Sequence, residues 1–333
     1  MKNNQKNKLF KLINDSKKIA IFSHVTPDAD ALCSSFAMKN IIQNNFDFKF
    51  VDVFIDGEIG ELYDPILRDE VVNPKPYTKY DLAFVLDCPN LKRIGKYSEL
   101  AEKIPEIINI DHHETNCRFG TFNFVSPEVS STSELVYLLA MGQHFELNNQ
   151  IAKEIYQGII TDTNCFTSMS LTPRTHRVVS ELLQYKFDAD AIKQYYFHNQ
   201  SHAKTQLLTK ALLSLKFHKD GSLTTMKINN STFTDVGASF EDTLGIIDNG
   251  MNINKSQVSA ILIERAPHYI HCSLRSRGAV NVGEIATQFN GGGSKNIAAF
   301  QTRGDINEIE KHLITAITPY LPENPEEENE ILF

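Results

Sequence analysis

From Ile19 onward the chain alternates short apolar bursts with helix-length amphipathic stretches: residues 19–22, 48–55, 82–87 and 107–111 are the bursts. Runs this short, rich in Ile, Val and Phe, predict parallel strands covered on both faces, an α/β layout. Three of the four end on residues foreign to a core: Ser23 and His24, then Asp87, then Asp111, His112 and His113. In an open parallel sheet the strand carboxyl ends form the ligand crevice, so these side chains are expected to converge. Residues 130–141, 149–160 and 172–185 have helical spacing, the last with Thr172 as cap and Pro173 in its first turn.

The rhythm breaks at 188–206, a polar stretch where the inter-domain connection is expected, which leaves domains at 1–187 and 207–333. Beyond it, two alternating runs around Lys219-Asp220-Gly221 predict a β-hairpin. Strands are expected at 257–264 and 269–277, a helix at 282–289, a glycine run, and a last helix at 306–317. This second half reads as a smaller α+β domain. The acidic tail, 322–333, reads as loosely ordered.

The charge balance of 33 Lys+Arg against 41 Asp+Glu, net −8, argues against a protein that coats long nucleic acid or an anionic membrane. A short anionic substrate in a local pocket is compatible with it. Five cysteines without a CxxC pair fit neither a disulfide framework nor a cysteine zinc site, and a reducing cytosol is the simplest compartment. The polar N-terminus lacks the apolar core of a secretory signal, and no uncharged apolar segment is long enough to span a membrane.

Four constellations carry chemistry. His24, Asp28 and Asp30 follow the first strand in a turn forced by Pro27, and imidazole with carboxylates suits Mn²⁺, Zn²⁺ or Co²⁺. Asp87 ends the third strand; Asp111, His112 and His113 end the fourth; Asp162 ends a helical stretch that is otherwise apolar. Each has a plainer reading when taken singly. Asp28 or Asp30 could cap a helix, Asp87 could be a turn acid before proline, and Asp162 could terminate its helix. Three adjacent titratable groups at 111–113 are costly to cluster unless an ion compensates them. Together the groups fall where one crevice would collect them. His24, Asp28, Asp30, Asp87, His112 and Asp162 offer enough donors for two metals if one carboxylate bridges, and such a pair suits phosphoester hydrolysis.

The segments HVTPDADA, VLDCPN, NIDHHE and ITDTN, in this order and spacing, resemble the signature motifs of the DHH phosphoesterase superfamily. The stretch from Cys272 to Phe300 is similar to the companion DHHA1 substrate-binding domain. Within the superfamily the chain looks most like the nanoRNase/pAp-phosphatase group. Its members hydrolyse very short oligoribonucleotides and the 3′-phosphate of adenosine 3′,5′-bisphosphate (pAp), and relatives hydrolyse pApA or cyclic di-AMP. The resemblance implies one ion on His24, Asp28 and Asp87 and a second on Asp30, Asp87, His112 and Asp162, usually Mn²⁺. It gives His113 a contact with the scissile phosphate and a part in protonating the leaving oxygen, with Asp111 orienting its neighbours.

In the second domain, Arg275 and Arg277 are two apart on a strand and so are expected on one face, as guanidinium forks for phosphate. A solvated sheet edge is the plainer alternative. Gly291, Gly292 and Gly293, expected to precede a helical stretch, could offer backbone N–H groups to an anion or nucleobase, though such runs also make turns. The family usually has histidine directly after these glycines, and here Ser294 stands instead.

The expected function is therefore a cytoplasmic, Mn²⁺-dependent hydrolase that converts short RNA to mononucleotides and pAp to AMP. Its alternatives are a cyclic di-AMP or pApA phosphodiesterase, a pyrophosphatase, and a nucleotide-binding regulator without turnover, which would need missing metal ligands. The expected partners are short RNA and small nucleotides, with no long nucleic acid and no membrane. A homodimer is compatible with the sequence, with no residue that argues for it.

Overall fold

All four apolar runs are strands in the computed structural model, which describes residues 3–68, 70–167 and 171–321. The chain divides into two units, 1–199 and 200–333. In the first, α1 (Asn3–Asp15), β1 (Lys18–Phe22), α2 (Ala29–Asn45), β2 (Phe50–Phe54), α3 (Asp64–Leu67), β3 (Leu82–Leu86), α4 (Ser98–Glu102), β4 (Ile107–Asp111) and β5 (Phe122–Val125) precede four further helices. These are α5 (Thr132–Gln143), α6 (Asn149–Asp162), α7 (Pro173–Leu182) and α8 (Ala189–Lys193).

The five strands form one parallel sheet in the order β2-β1-β3-β4-β5. Every residue of β3 and β4 is buried, because both faces are covered. Ile19, Ile21, Leu82, Phe84, Leu86, Ile108 and Ile110 pack toward α2, α5 and α6. Ala20, Phe22, Ala83 and Val85 fill the opposite face with Tyr80 and Ile94. Helix α2 is buried on every side from Ala29 to Met38, polar residues included, as befits the helix between the sheet and α6. The strand order reverses between β1 and β3, the switch point at which open sheets of this kind bind ligands. β1 ends beside His24 there, and β3 beside Asp87. At α7, Thr172 and Thr175 form the reciprocal cap and Pro173 takes the first turn, as expected.

The second unit comprises α9 (His202–Leu213), β6 (Lys216–His218), β7 (Leu223–Ile228), α10 (Asn230–Val236), α11 (Asp248–Met251), β8 (Val258–Ala266), β9 (Tyr269–Ser276), α12 (Val282–Thr287), β10 (Gly292–Gly293), β11 (Ile297–Arg303) and α13 (Ile306–Ile317). Its mixed sheet runs β10-β11-β9-β8-β7-β6, with β7 and β8 parallel and the rest antiparallel. Helices α12 and α13 cover one face, and α9 covers the other. The hairpin around Lys219-Asp220-Gly221 forms, with all three residues at positive φ.

Two local expectations change. The polar stretch 188–206 is largely helical: α8 runs into a π-helical turn at Gln194–His198, and α9 begins at His202. The glycine run does not precede a helix. Gly292 and Gly293 pair antiparallel with Ala299 and Ala298, so their neighbour is a strand. The acidic tail lies outside the described residues. Among the described residues no helix is long and apolar enough to cross a membrane.

Candidate metal centre

Each acid or imidazole reaches the crevice by a local device. Ser23 Oγ donates to the Leu86 carbonyl and so ties the end of β1 to that of β3. His24 Nδ1 donates to the Val25 carbonyl at 2.9 Å, which leaves Nε2 as the free nitrogen, 3.6 Å from Asp87 Oδ2. Asp28 caps α2 by accepting from the Ala31 amide, and its carboxylate still groups with His24 and Asp87. The cap reading and the crevice reading of Asp28 therefore hold together. Asp87 adopts a left-handed conformation, φ 55°, while its amide continues the ladder to the Ile110 carbonyl. A non-glycine residue held there costs about 1 kcal/mol, and such strain clusters at functional sites.

His112 Nε2 lies 3.6 Å from Asp87 Oδ1 and 3.9 Å from Asp162 Oδ2. Ligand-capable atoms fall into three groups: His24, Asp28 and Asp87; Asp30, His112 and Asp162; and Asp87, His112 and His113. These separations are too long for hydrogen bonds. They are close to the roughly 3 to 3.6 Å between atoms that share one ion at about 2.1 Å. The charges point the same way. Burial pushes the Asp30 carboxyl well up, with Asp87, Asp162 and Asp28 adding repulsion. Desolvation raises Asp28, and it raises Asp162 to about 7, with Asp87 repelling both. Burial opposes ionisation of Asp87 as well, but His24, His112 and His113 outweigh it and hold that carboxyl low. A crevice of four carboxylates short of positive charge, lined by N and O donors, fits hard or borderline divalent cations.

Asp111 plays a different part. It is fully buried and accepts from His113 Nδ1 at 2.7 Å and from Asn116 Nδ2 at 2.6 Å. That bond raises the His113 pKa and leaves Nε2 as the ring's free nitrogen.

Four supporting residues escaped the sequence reading. The amides of Thr132 and Ser133, at the start of α5, donate to Asp30 Oδ2 and Oδ1 at 2.7 and 3.0 Å. A helix N-terminus is a natural seat for a carboxylate. The Thr132 hydroxyl donates to Asp87 Oδ1 at 2.9 Å. Asn116 steadies Asp111, and Gly158 lets α6 approach, since a Cβ there would stand 1.9 Å from Ser133 Oγ and 2.7 Å from Asp30 Oδ1. The available signal was Ser131-x-x-Glu134, a helix-start pattern, and Ser131 does cap α5.

In the second unit Arg275 lies on β9 and Arg277 one residue beyond its end. Arg277 donates to the Met251 carbonyl, and Arg275 Nε stands 3.9 Å from Asp248 Oδ1, so both guanidiniums meet α11. The glycine run has a packing reason. A Cβ on Gly291 would meet the Ala299 carbonyl at 2.3 Å and one on Gly293 the Ile297 carbonyl at 2.3 Å, whereas Gly292 is open. Ser294 closes the turn to β11, its amide donating to the Ile297 carbonyl at 2.7 Å.

Fold and site together define an α/β protein whose parallel sheet gathers, at its carboxyl ends, carboxylates and imidazoles that could hold metal ions. Residues 18–161 match the DHH family, N-terminal domain, and residues 225–318 match the DHHA1 domain. A Streptococcus mutans protein named probable bifunctional oligoribonuclease and PAP phosphatase NrnA is 30% identical over 83% of this chain and 86% of its own length. The Thermus thermophilus protein named bifunctional oligoribonuclease and PAP phosphatase NrnA is 30% identical over 90% of this chain and 89% of its own. A crystal structure of an exopolyphosphatase-related protein from Bacteroides fragilis superposes with a TM-score of 0.86 at 27% identity, covering 95% of this chain and 96% of that one. The chain belongs to the DHH phosphoesterase family and carries the DHHA1 domain.

Proposed function

We propose that the protein hydrolyses short oligoribonucleotides to mononucleotides and pAp to AMP, with two divalent ions, Mn²⁺ foremost, in a cytosolic setting. The observation that carries this reading is the convergence of His24, Asp28, Asp30, Asp87, His112 and Asp162 in one crevice. The names of relatives similar along most of the chain support it. One ion would rest on His24, Asp28 and Asp87 and the other on Asp30, Asp87, His112 and Asp162. When bound, such a pair acidifies water and neutralises charge on the phosphoryl oxygens.

The chain's own residues do the rest. Asp87 stands between the two ligand groups, fixed by its turn and by Thr132. Asp111 holds the His113 ring and favours its protonated form, so that Nε2 can meet a phosphate oxygen and pass a proton to the leaving oxygen. In this reading residues 1–187 are catalytic, 188–206 connect, and 207–333 bind substrate through Arg275, Arg277, Gly291, Gly292, Gly293 and Ser294. A small substrate needs only such a local set of cations, in keeping with the acidic net charge.

The test is chromatography of products from a 5′-labelled RNA dinucleotide, a long RNA, pAp, pApA and cyclic di-AMP, each with Mn²⁺ or with EDTA. Mn²⁺-dependent mononucleotide from the dinucleotide and AMP from pAp, with the long RNA spared, are the expected products. Turnover confined to cyclic di-AMP would replace this substrate assignment, and silence on every substrate would overturn the enzymatic reading.

A further inference from the structure

We propose a second ligand site in the first unit, on the side of α6 away from the metal centre, that takes a nucleoside monophosphate. It is a cavity of about 650 Å³ between α3, the first half of α6, α8 and the π-helical turn that follows α8. That volume lies within the range of small-ligand sites, about 300–1,000 Å³. Arg68, Lys153 and Lys186 line it from three different elements. None of the three forms an ion pair among the described residues, although neighbouring cations do: Lys39 pairs with Glu70 and Lys193 with Asp190. Asp188 is the one carboxylate on the wall, and its Oδ1 is taken by the Ala191 amide at the start of α8. Among the described residues the cavity therefore carries three cations against one carboxylate, and none of the three is paired.

The lining is also aromatic. Tyr195 and Tyr196 stand edge to face with centroids 5.2 Å apart, and Phe187 lines the same cavity. The Tyr196 hydroxyl accepts from Gln157, so that ring is tied to α6. Both tyrosines sit on the π-helical turn, a conformation that recurs at functional sites. Ring faces beside unpaired cations recognise a base joined to a phosphate, by stacking and by charge. Along α6, at 1.5 Å per residue, Lys153 is about 13 Å from Asp162, so a ligand held here does not touch the metal ligands. The proposal is independent of the catalytic reading.

The experiment is calorimetric titration of AMP into the full-length protein in EDTA, beside adenosine and inorganic phosphate as separate probes. The expected result is a binding event that survives Asp87→Asn combined with Arg275→Ala, so that neither the metal centre nor the proposed substrate arginines account for it. Arg68→Glu combined with Lys186→Glu should weaken it by about tenfold or more, and Tyr195→Ala should also weaken it, because charge and stacking both contribute. Each half-ligand alone should bind about tenfold more weakly than AMP. As a readout that needs no variant, AMP should protect Lys153 and Lys186 from acetylation, detected by mass spectrometry. No heat up to about 5 mM AMP would overturn the proposal. Binding lost in Asp87→Asn but kept in the charge-reversed variant would assign the nucleotide to the metal centre instead. Phosphate binding as tightly as AMP would reduce the site to an anion patch and overturn the nucleoside assignment.

Discussion

The hydroxyl of Thr132 donates to Asp87 Oδ1 at 2.9 Å across 45 residues of sequence, while the amide of the same residue donates to Asp30. One residue at the start of α5 thus orients two carboxylates from opposite sides of the switch point. Thr132→Val keeps the shape and removes the hydroxyl. Divalent-ion affinity, measured by calorimetry with Mn²⁺, is expected to fall by about 10- to 100-fold, the usual effect of losing a partner behind a ligand. Thr132→Ser should restore most of it. Unchanged affinity in the valine variant would leave Thr132 with only its place in the helix start.

Without a cation, burial raises the Asp28, Asp30 and Asp162 carboxyls, and the charge of Asp87 adds to the shift. Mn²⁺ added to EDTA-treated protein is therefore expected to raise the melting temperature, with a gain of about 2.7 kcal/mol at a hundred times the dissociation constant. Asp87→Ala should fold, show no such gain and hydrolyse none of the proposed substrates. Metal-dependent turnover retained in that variant would refute the ligand assignment.

Gly158 is where α6 comes closest to Asp30. Gly158→Ala puts a methyl group into the space of Ser133 Oγ, a buried atom that has no hydrogen-bond partner. A loss of about 1–3 kcal/mol in stability is expected, as for overpacking, with weaker metal binding because Asp30 must move. Adding Ser133→Gly should recover much of both, since the displaced atoms are then gone. Strictly additive losses in the double variant would mean that the two sites are not in contact.

The parallel sheet and the acids at its strand ends were legible because both rest on local pattern: Leu82–Leu86 is an unbroken apolar run, and the residue that breaks it, Asp87, must lie at the end. The role of Thr132 was not legible, because it depends on α5 meeting a residue 102 positions earlier in the chain. The glycine run was misread only in its neighbour, a strand where a helix was expected. Gly291 and Gly293 are small because β11 passes over them, and a sequence cannot separate that need from an anion-binding turn. Strand β5 was missed because four residues at a sheet edge, Phe-Asn-Phe-Val, carry too little pattern to stand out.

Glu154 gives the fold a pH dependence apart from the metal centre. It is 2% exposed on α6; Asn40 and Gln150 both donate to Oε1, and Oε2 has no partner. Burial pushes its carboxyl up to about 7. Below about pH 4.3 the group is protonated whether the chain is folded or not, so it contributes nothing. Between there and about 7 the unfolded chain releases the proton that the folded chain keeps, and the folded state loses stability. Above 7 the penalty is complete, at most about 4 kcal/mol. Glu154→Gln removes this titration and leaves all others in place. In EDTA the variant is expected to match the parent or fall slightly below it at pH 5, and to exceed it at pH 8 in urea unfolding. A difference that stays constant between the two pH values would mean that Glu154 is ionised in the folded chain, and that a cation compensates it there.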